Sequence, residues 1–473
     1  MIKVADEVKQ EVIERVYHAG QEDVFRFWNE LSQEARERLL DQLASIDFEV
    51  LNRLIDKYVL HSEKSEMDLQ GIEPAPFIRT PETPGEVERQ NQAKAVGEKA
   101  LREGRVACFL VAGGEGTRLG YDGPKGVFPI GPISKKSLFQ LHAEKILAIR
   151  KRYGRKLPWY VMTSPPTDRV IRDFFKSHNF FGLPQDEIRF LTQGVFPAVN
   201  FEGRLLMAAK DQIVMSPNGH GGSLKVLKES GALDQMEKEG IDIVFYFQVD
   251  NPLLKIADPI FIGYHLEEKA DMSCKIVKKR DPLEKVGVVC RINGHLQVIE
   301  YSELPIQLVE EKDLNGVPRF RAGSIAIHIL RVDFIKRKKL NLPCHPARKK
   351  IPFIDARGQP WIPDEPNGIK FETFIFDALP SADKWVLMEV VRKEEFSPLK
   401  EKEGPSSPDL VQQNMTELYA SWLQEAGVEI PKDRAGKTMG LIEISPLYAL
   451  DKEELLEKID KNLVFDGKLY LDG

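Results

Sequence analysis

The stretch LVAGGEGTRLGYDGPKGVFPIG, residues 110–131, overlaps the end of an apolar run at Val106–Val111. The run is typical of a buried strand, and glycines with isolated basic residues after such a strand are typical of a phosphate-binding loop. Leu119 stands where a dinucleotide-binding loop needs its third glycine, and Gly126 follows Lys125 where a Walker loop needs serine or threonine. The stretch therefore predicts a phosphate site of neither common kind.

The loop itself carries the groups that such a site needs. Gly113, Gly114 and Gly116 let backbone N–H groups approach an anion closely. Arg118 offers a planar fork that suits phosphate oxygens, and Lys125 offers a mobile point charge. A glycine loop alone is more often a simple turn, but basic residues at fixed offsets after a buried strand favour a polyphosphate site.

Strand-like and helical patterns alternate from this loop to about residue 390. The strand-like runs lie at 158–164, 188–193, 241–250 and 271–279, with a helical pattern at 137–152. This alternation predicts an α/β fold with a largely parallel sheet covered on both faces. Two further strand-like runs flank Asn293-Gly294, which predicts a β-hairpin.

The flanking sequence differs from this alternating part. The first hundred residues are mainly helical in pattern, with apolar residues at helical spacing in 21–46 and a proline-rich connector at 73–86. A linker-like segment at 403–410 precedes a helical pattern at 411–426 and a short tail. We therefore predict a helical N-terminal region at 1–100, an α/β domain at 101–402 and a small C-terminal domain at 403–473.

Composition excludes several classes of protein. The chain has 473 residues and a net charge of -6, which argues against general binding to nucleic acid or to an anionic membrane. Its first residues carry no apolar signal segment, and no apolar run is long enough to span a bilayer. The four cysteines are far apart, which argues against a zinc site and a disulfide framework. We expect a cytoplasmic protein with reduced thiols.

Asp250 is the best candidate for a metal ligand. It ends the apolar run at 243–250, and the carboxyl ends of strands are where open α/β sheets bind ligands. Mg²⁺ prefers oxygen ligands and bridges one or two carboxylates to substrate phosphates. The alternative role for this carboxylate is a helix cap for the segment that follows Asn251.

The glycine loop AGGEGTRLGYDGPKG resembles the A-G-G-x-G-T-R-L-G…P-K signature of the uridylyltransferases that make UDP-sugars. Further similarity lies at 20–31, 158–164, 192–203, 286–303, 394–400 and 442–447. Together these motifs are most similar to the eukaryotic-type UDP-N-acetylhexosamine pyrophosphorylases. The resemblance implies a Rossmann-like, mixed but mostly parallel central sheet of the nucleotide-diphospho-sugar transferase type, and a catalytic role for the domain at 101–402.

The resemblance also implies a reaction. A sugar 1-phosphate attacks the α-phosphorus of UTP, and a UDP-sugar and pyrophosphate are formed. Such chemistry depends on in-line positioning and on cations around the phosphates. The implied catalytic residues are Arg118, Lys125 and Lys400, the last lying in the motif EEFSPLK, and Asp250 would hold Mg²⁺.

Binding residues follow from the same resemblance. The implied nucleotide-binding residues are Gly113, Gly114, Gly116, Thr117, Gln193, Gly219, His220 and Gly221. The implied sugar-binding residues are Asn200, Gly287, Glu300, Ser324, Phe374 and Phe376. Gln193 can present both a donor and an acceptor to uracil, whereas the two phenylalanines alternate as core residues of a strand also would.

Two positions depart from the N-acetylhexosamine pattern. Ser324 stands where those enzymes have asparagine in A-G-N, and His220 stands where they have asparagine in G-N-G-G. A G-H-G loop is more typical of UDP-glucose and broad-specificity UDP-sugar pyrophosphorylases. We therefore predict transfer to N-acetylglucosamine 1-phosphate, with a hexose 1-phosphate as the alternative substrate. A catalytically silent UDP-sugar sensor is the hypothesis of a different class.

Overall fold

The computed structural model describes residues 1–61, 69–301 and 303–473. The chain forms two compact units, each assembled from three separate stretches of sequence. The first unit comprises the described part of Met1–Asp68 with Gln193–Gly222 and Asn341–Asp377. The second comprises Leu69–Thr192, Ser223–Leu340 and Ala378–Gly473. The predicted boundaries at residues 100 and 402 stay predictions.

A ten-stranded mixed sheet forms the centre of the second unit. Its strands are Ile72–Pro74, Val106–Val111, Trp159–Thr163, Ile188–Thr192, Ile243–Gln248, Met272–Lys278, Val288–Ile292, His295–Ile299, Ala322–Arg331 and Trp385–Glu389. Val106–Val111 pairs in parallel with Ile243–Gln248 on one side and with Trp159–Thr163 on the other. These strands are almost continuously apolar because both faces of a parallel sheet are covered. The α/β fold with a mixed central sheet is confirmed, but the expectation that the sheet is mostly parallel is wrong. Four of its strand pairs are parallel and five are antiparallel, because Ala322–Arg331 and Val288–Ile292 run against their neighbours.

The helices of the second unit cover this sheet and extend to the C-terminal part of the chain. They are Pro84–Glu103, Leu138–Tyr153, Asp168–Ser177, Ala232–Lys238, Pro259–Glu267, Ile306–Glu310, Val332–Arg337, Arg392–Glu395, Pro408–Glu425 and Lys452–Lys458. The helix Gly222–Glu229 belongs to this unit from its second residue, Ser223, onward. The C-terminal helix at Pro408 and the small parallel sheet of Leu441–Ile444 and Lys468–Leu471 share one hydrophobic core with the central sheet. No helix among the described residues is both long enough and apolar enough to cross a membrane.

The first unit combines N-terminal helices with short strands from the two later stretches. Its helices are Glu7–His18, Gln33–Ala44 and Phe48–Ile55. Its strands are Val195–Pro197, Val199–Asn200, Met207–Ala209, Gln212–Ile213, Met215–Pro217, Cys344–Lys349, Phe353–Ile354, Pro360–Trp361 and Gly368–Thr373. Apolar residues of all three stretches, such as Leu39, Val199 and Phe371, form one core. The N-terminal helices therefore bury their apolar faces against residues that are remote in sequence.

Several local predictions are confirmed, and others change in detail. The helix predicted at 137–152 runs from Leu138 to Tyr153, and the hairpin around Asn293 pairs Val288–Ile292 with His295–Ile299. The helical pattern predicted over 21–46 is interrupted. Two short 3₁₀ turns occupy Glu22–Phe25 and Trp28–Glu30, and the helix starts at Gln33 because the Ser32 side chain accepts a hydrogen bond from the backbone N–H of Ala35.

Acid is expected to destabilise the second unit through two buried histidines. Burial lowers the pKa of His142 and of His265 to about 3, whereas an unfolded histidine titrates near ~6.5. Between these values only the unfolded chain takes up the two protons. The free energy of unfolding should therefore fall by about 1.4 kcal/mol per histidine for each pH unit below ~6.5. Denaturant titrations at several pH values measure this slope. His265→Gln should reduce this slope, because it removes one of the two buried imidazoles.

Candidate active site

The glycine loop leaves the sheet at the carboxyl end of Val106–Val111 and folds back on itself. The backbone N–H of Gly116 donates to the carbonyl of Gly123 at 2.8 Å, and the N–H of Lys125 donates to the carbonyl of Gly114 at 3.0 Å. The Ser164 hydroxyl, from the end of the neighbouring strand, donates to the carbonyl of Gly113 at 2.8 Å. Gly114 remains exposed, so a ligand can approach its backbone closely.

Lys125 and Asp250 meet at this end of the sheet. Asp250 follows the strand Ile243–Gln248, which pairs in parallel with Val106–Val111. The Lys125 Nζ lies 3.6 Å from the Asp250 Oδ2, and both side chains are largely buried. Arg118 is exposed and forms no ion pair with any residue that the structure describes. The loop thus presents one cation paired with the carboxylate and a second cation open to an anionic ligand.

Asp250 does not cap a helix. The next helix begins at Pro259, and its cap is Asp258, whose side chain accepts from the N–H of Ile260 at 3.0 Å. The segment between them is held by two side chains of the helix Leu138–Tyr153, the buried His142 and the partly buried Lys145. His142 Nε2 donates to the carbonyl of Val249 at 3.0 Å, and Lys145 Nζ donates to the carbonyls of Pro252 and Leu254 at 2.5 and 2.8 Å.

Both anchoring side chains keep a donor when they are uncharged. Burial lowers the pKa of Lys145 to about 7, and the pKa of His142 is about 3 for the same reason. A neutral imidazole bound to a carbonyl carries its proton on that nitrogen, and a neutral amine still has two N–H groups. The anchors of the segment after Asp250 therefore persist at neutral pH.

Lys400 lies in a segment that is joined to both parts of this site. The backbone N–H of Leu399 donates to the carbonyl of Asp250 at 2.8 Å, and that of Lys402 donates to the carbonyl of Arg118 at 3.0 Å. The Lys400 side chain is exposed and has no ion pair within residues 1–61, 69–301 and 303–473. The structure therefore brings the backbones that carry Arg118, Asp250 and Lys400 into direct contact.

Three of the predicted sugar-binding residues also lie together in the second unit. The N–H of Ser324 donates to the carbonyl of Gly287 at 2.8 Å. A Cβ at Gly287 would lie 3.4 Å from the Glu300 Oε1, so the lack of a side chain there leaves room beside that carboxylate. Ser324 belongs to the strand that pairs antiparallel with Ile243–Gln248, and the register of this pair places it toward the same end of the sheet as Asp250.

In the first unit, the two predicted uridine-binding segments are joined by Asn218. Its backbone N–H donates to the carbonyl of Gly194 at 3.0 Å, and its carbonyl accepts from the backbone N–H and the hydroxyl of Thr373 at 2.8 and 2.9 Å. Gly219 has a φ of +83°, and a Cβ there would lie 2.5 Å from the carbonyl oxygen of Thr373. Only glycine therefore fits at position 219, for both backbone and steric reasons.

His220 is part of an aromatic stack in the first unit. Its ring stacks on Phe374 at a centroid distance of 5.2 Å and meets the edge of Phe376 at 5.8 Å. The backbone N–H of Ile375 donates to the His220 Nδ1 at 3.2 Å, so the remaining proton of a neutral ring is on Nε2. Phe374 also stacks on His345 at 4.6 Å. The two phenylalanines therefore orient the histidine of the G-H-G loop.

Asn200 lies apart from this stack. It stands opposite Gly368 at the start of the strand Gly368–Thr373, whereas Phe374 follows the end of that strand. Its side-chain oxygen accepts from the backbone N–H groups of Glu202 and Arg204 at 3.1 and 2.8 Å. These contacts close a local turn. The structure therefore separates Asn200 from the other predicted sugar-binding residues of the first unit.

Sequence reasoning missed Asn218 in the first unit, and Asn251 and Glu395 in the second, as residues whose hydrogen bonds join predicted site segments within their own unit. Each stands close to a residue that was recognised from the sequence: Asn218 precedes Gly219, Asn251 follows Asp250, and Glu395 lies in the motif EEFSPLK with Lys400. An asparagine beside a glycine loop or a strand end can stabilise a local turn, or it can hydrogen-bond to a segment that is remote in sequence. The signal was therefore present, but only the hydrogen bonds separate the two roles.

Residues 48–461 match the family described as UTP–glucose-1-phosphate uridylyltransferase. This match covers most of the chain, including the glycine loop, Asp250 and Lys400. The chain belongs to the UTP–glucose-1-phosphate uridylyltransferase family. The resemblance that was recognised from the motifs is confirmed.

Relatives in this uridylyltransferase family share most of their length with this chain. The UDP-N-acetylglucosamine pyrophosphorylase of Saccharomyces cerevisiae is 38% identical over 475 residues, which cover 96% of this chain and 96% of that protein. UDP-N-acetylhexosamine pyrophosphorylase-like protein 1 of Xenopus tropicalis is 36% identical, with 93% of this chain and 92% of that protein covered. The crystal structure of the UDP-N-acetylglucosamine pyrophosphorylase of Trypanosoma brucei is 28% identical, with a TM-score of 0.82 and coverage of 100% and 99%.

Proposed function

We propose that this protein is a uridylyltransferase that converts UTP and N-acetylglucosamine 1-phosphate to UDP-N-acetylglucosamine and pyrophosphate. The observation that carries the proposal is the buried pair of Lys125 and Asp250 at the carboxyl ends of two parallel strands, beside the exposed Arg118. Membership of the family and the names of the relatives above support the same reaction. The names of these relatives specify UDP-N-acetylglucosamine or UDP-N-acetylhexosamine, which supports N-acetylglucosamine 1-phosphate over glucose 1-phosphate as the substrate.

The cations of the second unit would act on the phosphates. A phosphate oxygen of the sugar 1-phosphate attacks the α-phosphorus of UTP, the bond from that phosphorus to the bridging oxygen breaks, and pyrophosphate leaves. Negative charge grows on the leaving group as this bond breaks. Fixed cations that are directed at this charge lower the barrier more than they strengthen substrate binding. Lys125 is held beside Asp250 and suits this role, and we assign Arg118 and Lys400 to the same phosphates.

The residues present fit a magnesium ion that arrives with the nucleotide. Asp250 offers one buried carboxylate, and no group of three or more candidate metal-binding His, Cys, Asp or Glu side chains occurs within the described part of the chain. Mg²⁺ is commonly held by one or two carboxylates together with substrate phosphates. We propose Asp250 as its protein ligand. When bound, Mg²⁺ would neutralise phosphate charge and orient the phosphate chain.

The remaining residues would recognise the two organic groups. We assign Gln193 and the backbone of Gly219–Gly221 to the nucleotide, with Gly113, Gly114, Gly116 and Thr117 around its phosphates. We assign Gly287, Glu300 and Ser324 to the sugar, together with Phe374 and Phe376. Asn200 keeps only its amide N–H₂ group for a ligand, since its oxygen is used within its own turn. We assign His220, which the aromatic stack orients, to the nucleotide as well.

The choice of sugar gives a direct test. We expect the purified protein to use N-acetylglucosamine 1-phosphate with a kcat/KM at least about tenfold above that for glucose 1-phosphate, because a pocket built around an acetamido group loses contacts with a hydroxyl. Pyrophosphate release with UTP and Mg²⁺ measures the rate, and chromatography identifies the UDP-sugar. A preference for glucose 1-phosphate would instead support the hexose alternative, with His220 and Ser324 as its determinants.

The same assay separates an enzyme from a silent sensor. A sensor on this scaffold would bind UDP-N-acetylglucosamine but release no pyrophosphate with any sugar 1-phosphate. The chain retains Arg118, Lys125, Asp250 and Lys400, and this supports the enzyme.

A further inference from the structure

The segment that carries Lys400 begins at a buried asparagine next to Asp250. Asn251 is 5% exposed. Its side-chain N–H₂ donates to the carbonyl of Glu395 at 2.6 Å, and its side-chain oxygen accepts from the N–H of Ser397 at 3.1 Å. One amide side chain thus pairs with a backbone acceptor and a backbone donor two residues apart, as a neighbouring strand would.

The backbone on either side of this amide extends the contact toward Lys400. The carbonyl of Asp250 accepts from the N–H of Leu399 at 2.8 Å. The consecutive residues Asp250 and Asn251 therefore hold three backbone groups of Glu395–Leu399. Asp250 uses its carbonyl for this purpose, so its carboxylate remains available to Lys125 and to a ligand.

The amino end of the segment is fixed independently by charge. The Glu395 carboxylate accepts from Lys275 Nζ at 2.5 Å, and Lys275 also donates to the Asp258 carboxylate at 2.7 Å. Lys275 is fully buried, and Glu395 and Asp258 are 4% and 5% exposed. This end of the segment is consequently rigid, whereas the Lys400 side chain, five residues further on, is exposed.

We infer that Asn251 is a positioning residue for Lys400. This inference rests on the proposed function, in which Lys400 acts on the phosphates. A flexible lysine on an exposed segment would lose much of its effect through the cost of ordering it. The Asn251 amide fixes the backbone from Glu395 to Leu399 relative to Asp250. The Lys400 ammonium is therefore confined to the region of the phosphates before substrate binds.

Kinetics of Asn251→Ala test the inference. We expect kcat at saturating UTP and sugar 1-phosphate to fall by about 10- to 100-fold, as for other displacements of a reacting group, with smaller changes in both KM values. Asn414→Ala is the matched control. It removes a 2.9 Å hydrogen bond from Asn414 to the Ser397 hydroxyl on the same segment and leaves the backbone contacts to Asn251 and Asp250 intact. We expect its kcat to stay within about twofold of the wild type.

A double-mutant cycle with Lys400→Ala separates positioning from a general loss of structure. If Asn251 acts through Lys400, Asn251→Ala should cost almost nothing further once Lys400→Ala is present. Equal fold-losses in the two backgrounds would overturn the inference. Should Asn251→Ala fail to fold, Asn251→Ser serves instead, since its hydroxyl can still accept from the backbone N–H of Leu253, as the Asn251 side chain does, while the donor to Glu395 is lost and no charge is added.

Hydrogen exchange gives a readout that needs no activity. We expect the amides of Leu399 and Lys402 to exchange faster in Asn251→Ala than in the wild type, and unchanged exchange in Asn414→Ala. Unchanged exchange in Asn251→Ala would overturn the inference whatever the activity. Absence of uridylyl transfer by the wild-type protein would overturn the proposed function, so the two failures are distinguishable.

Discussion

Lys125→Ala is expected to lower kcat for uridylyl transfer by about 10²- to 10³-fold, the range found when one fixed electrostatic stabiliser is removed from an active site. The reason is that the Lys125 ammonium lies 3.6 Å from the Asp250 carboxylate at the carboxyl ends of two parallel strands and is largely buried there. Its interaction with developing charge is poorly screened by water. Steady-state pyrophosphate release at saturating substrates measures the change.

Two further variants sharpen this expectation. Arg118→Ala should likewise act mainly on kcat, since its guanidinium is exposed on the same loop and free of ion pairs with the described residues. Lys151→Ala removes an exposed lysine from the helix Leu138–Tyr153 and should leave kcat unchanged. Wild-type kcat in both Arg118→Ala and Lys125→Ala would reject their assignment to the phosphates.

Lys275→Met is expected to reduce the free energy of unfolding by about 3–5 kcal/mol, because it leaves two buried carboxylates without their partner. Lys275 is 0% exposed and donates to both Asp258 and Glu395. Burial alone would raise the pKa of Asp258, but the ammonium groups of Lys275 and Lys255 hold it below its usual value. Without Lys275, these buried carboxylates keep the ammonium of the more exposed Lys255, whose Nζ lies 3.8 Å from the Glu395 carboxylate.

Denaturant unfolding at neutral pH measures this loss, and Lys336→Met is its matched control. Lys336 also lies between two carboxylates, with Nζ 2.6 Å from both Asp234 and Glu237, but this trio is on the surface. Water solvates all three groups there, so the loss should be much smaller. Equal losses in the two variants would show that burial does not determine how much the Lys275 contacts contribute to the free energy of unfolding.

Much of the fold could be predicted because its signals are local. The apolar runs at Val106 and Ile243 and the turn at Asn293 each depend on a few adjacent residues. The interruption at 22–30 was not predicted, because apolar residues at helical spacing do not reveal where Ser32 caps a helix. Which stretches of the sequence form the first unit could not be predicted either. Its core joins Leu39, Val199 and Phe371, whose contacts depend on packing across more than a hundred residues of chain.

By itself, the sequence determined the α/β class, through the alternation of strand-like and helical patterns, and the family, through motifs spread over most of the chain. It also predicted Arg118, Lys125 and Asp250 as the charged groups of a phosphate site. The tertiary structure alone decided how those groups are held. It placed the Lys125 ammonium beside Asp250, joined the Lys400 segment to Asn251 and separated Asn200 from the aromatic stack around His220. Hydrogen bonds between residues more than a hundred positions apart require the register of packed elements, and local spacing does not contain that register.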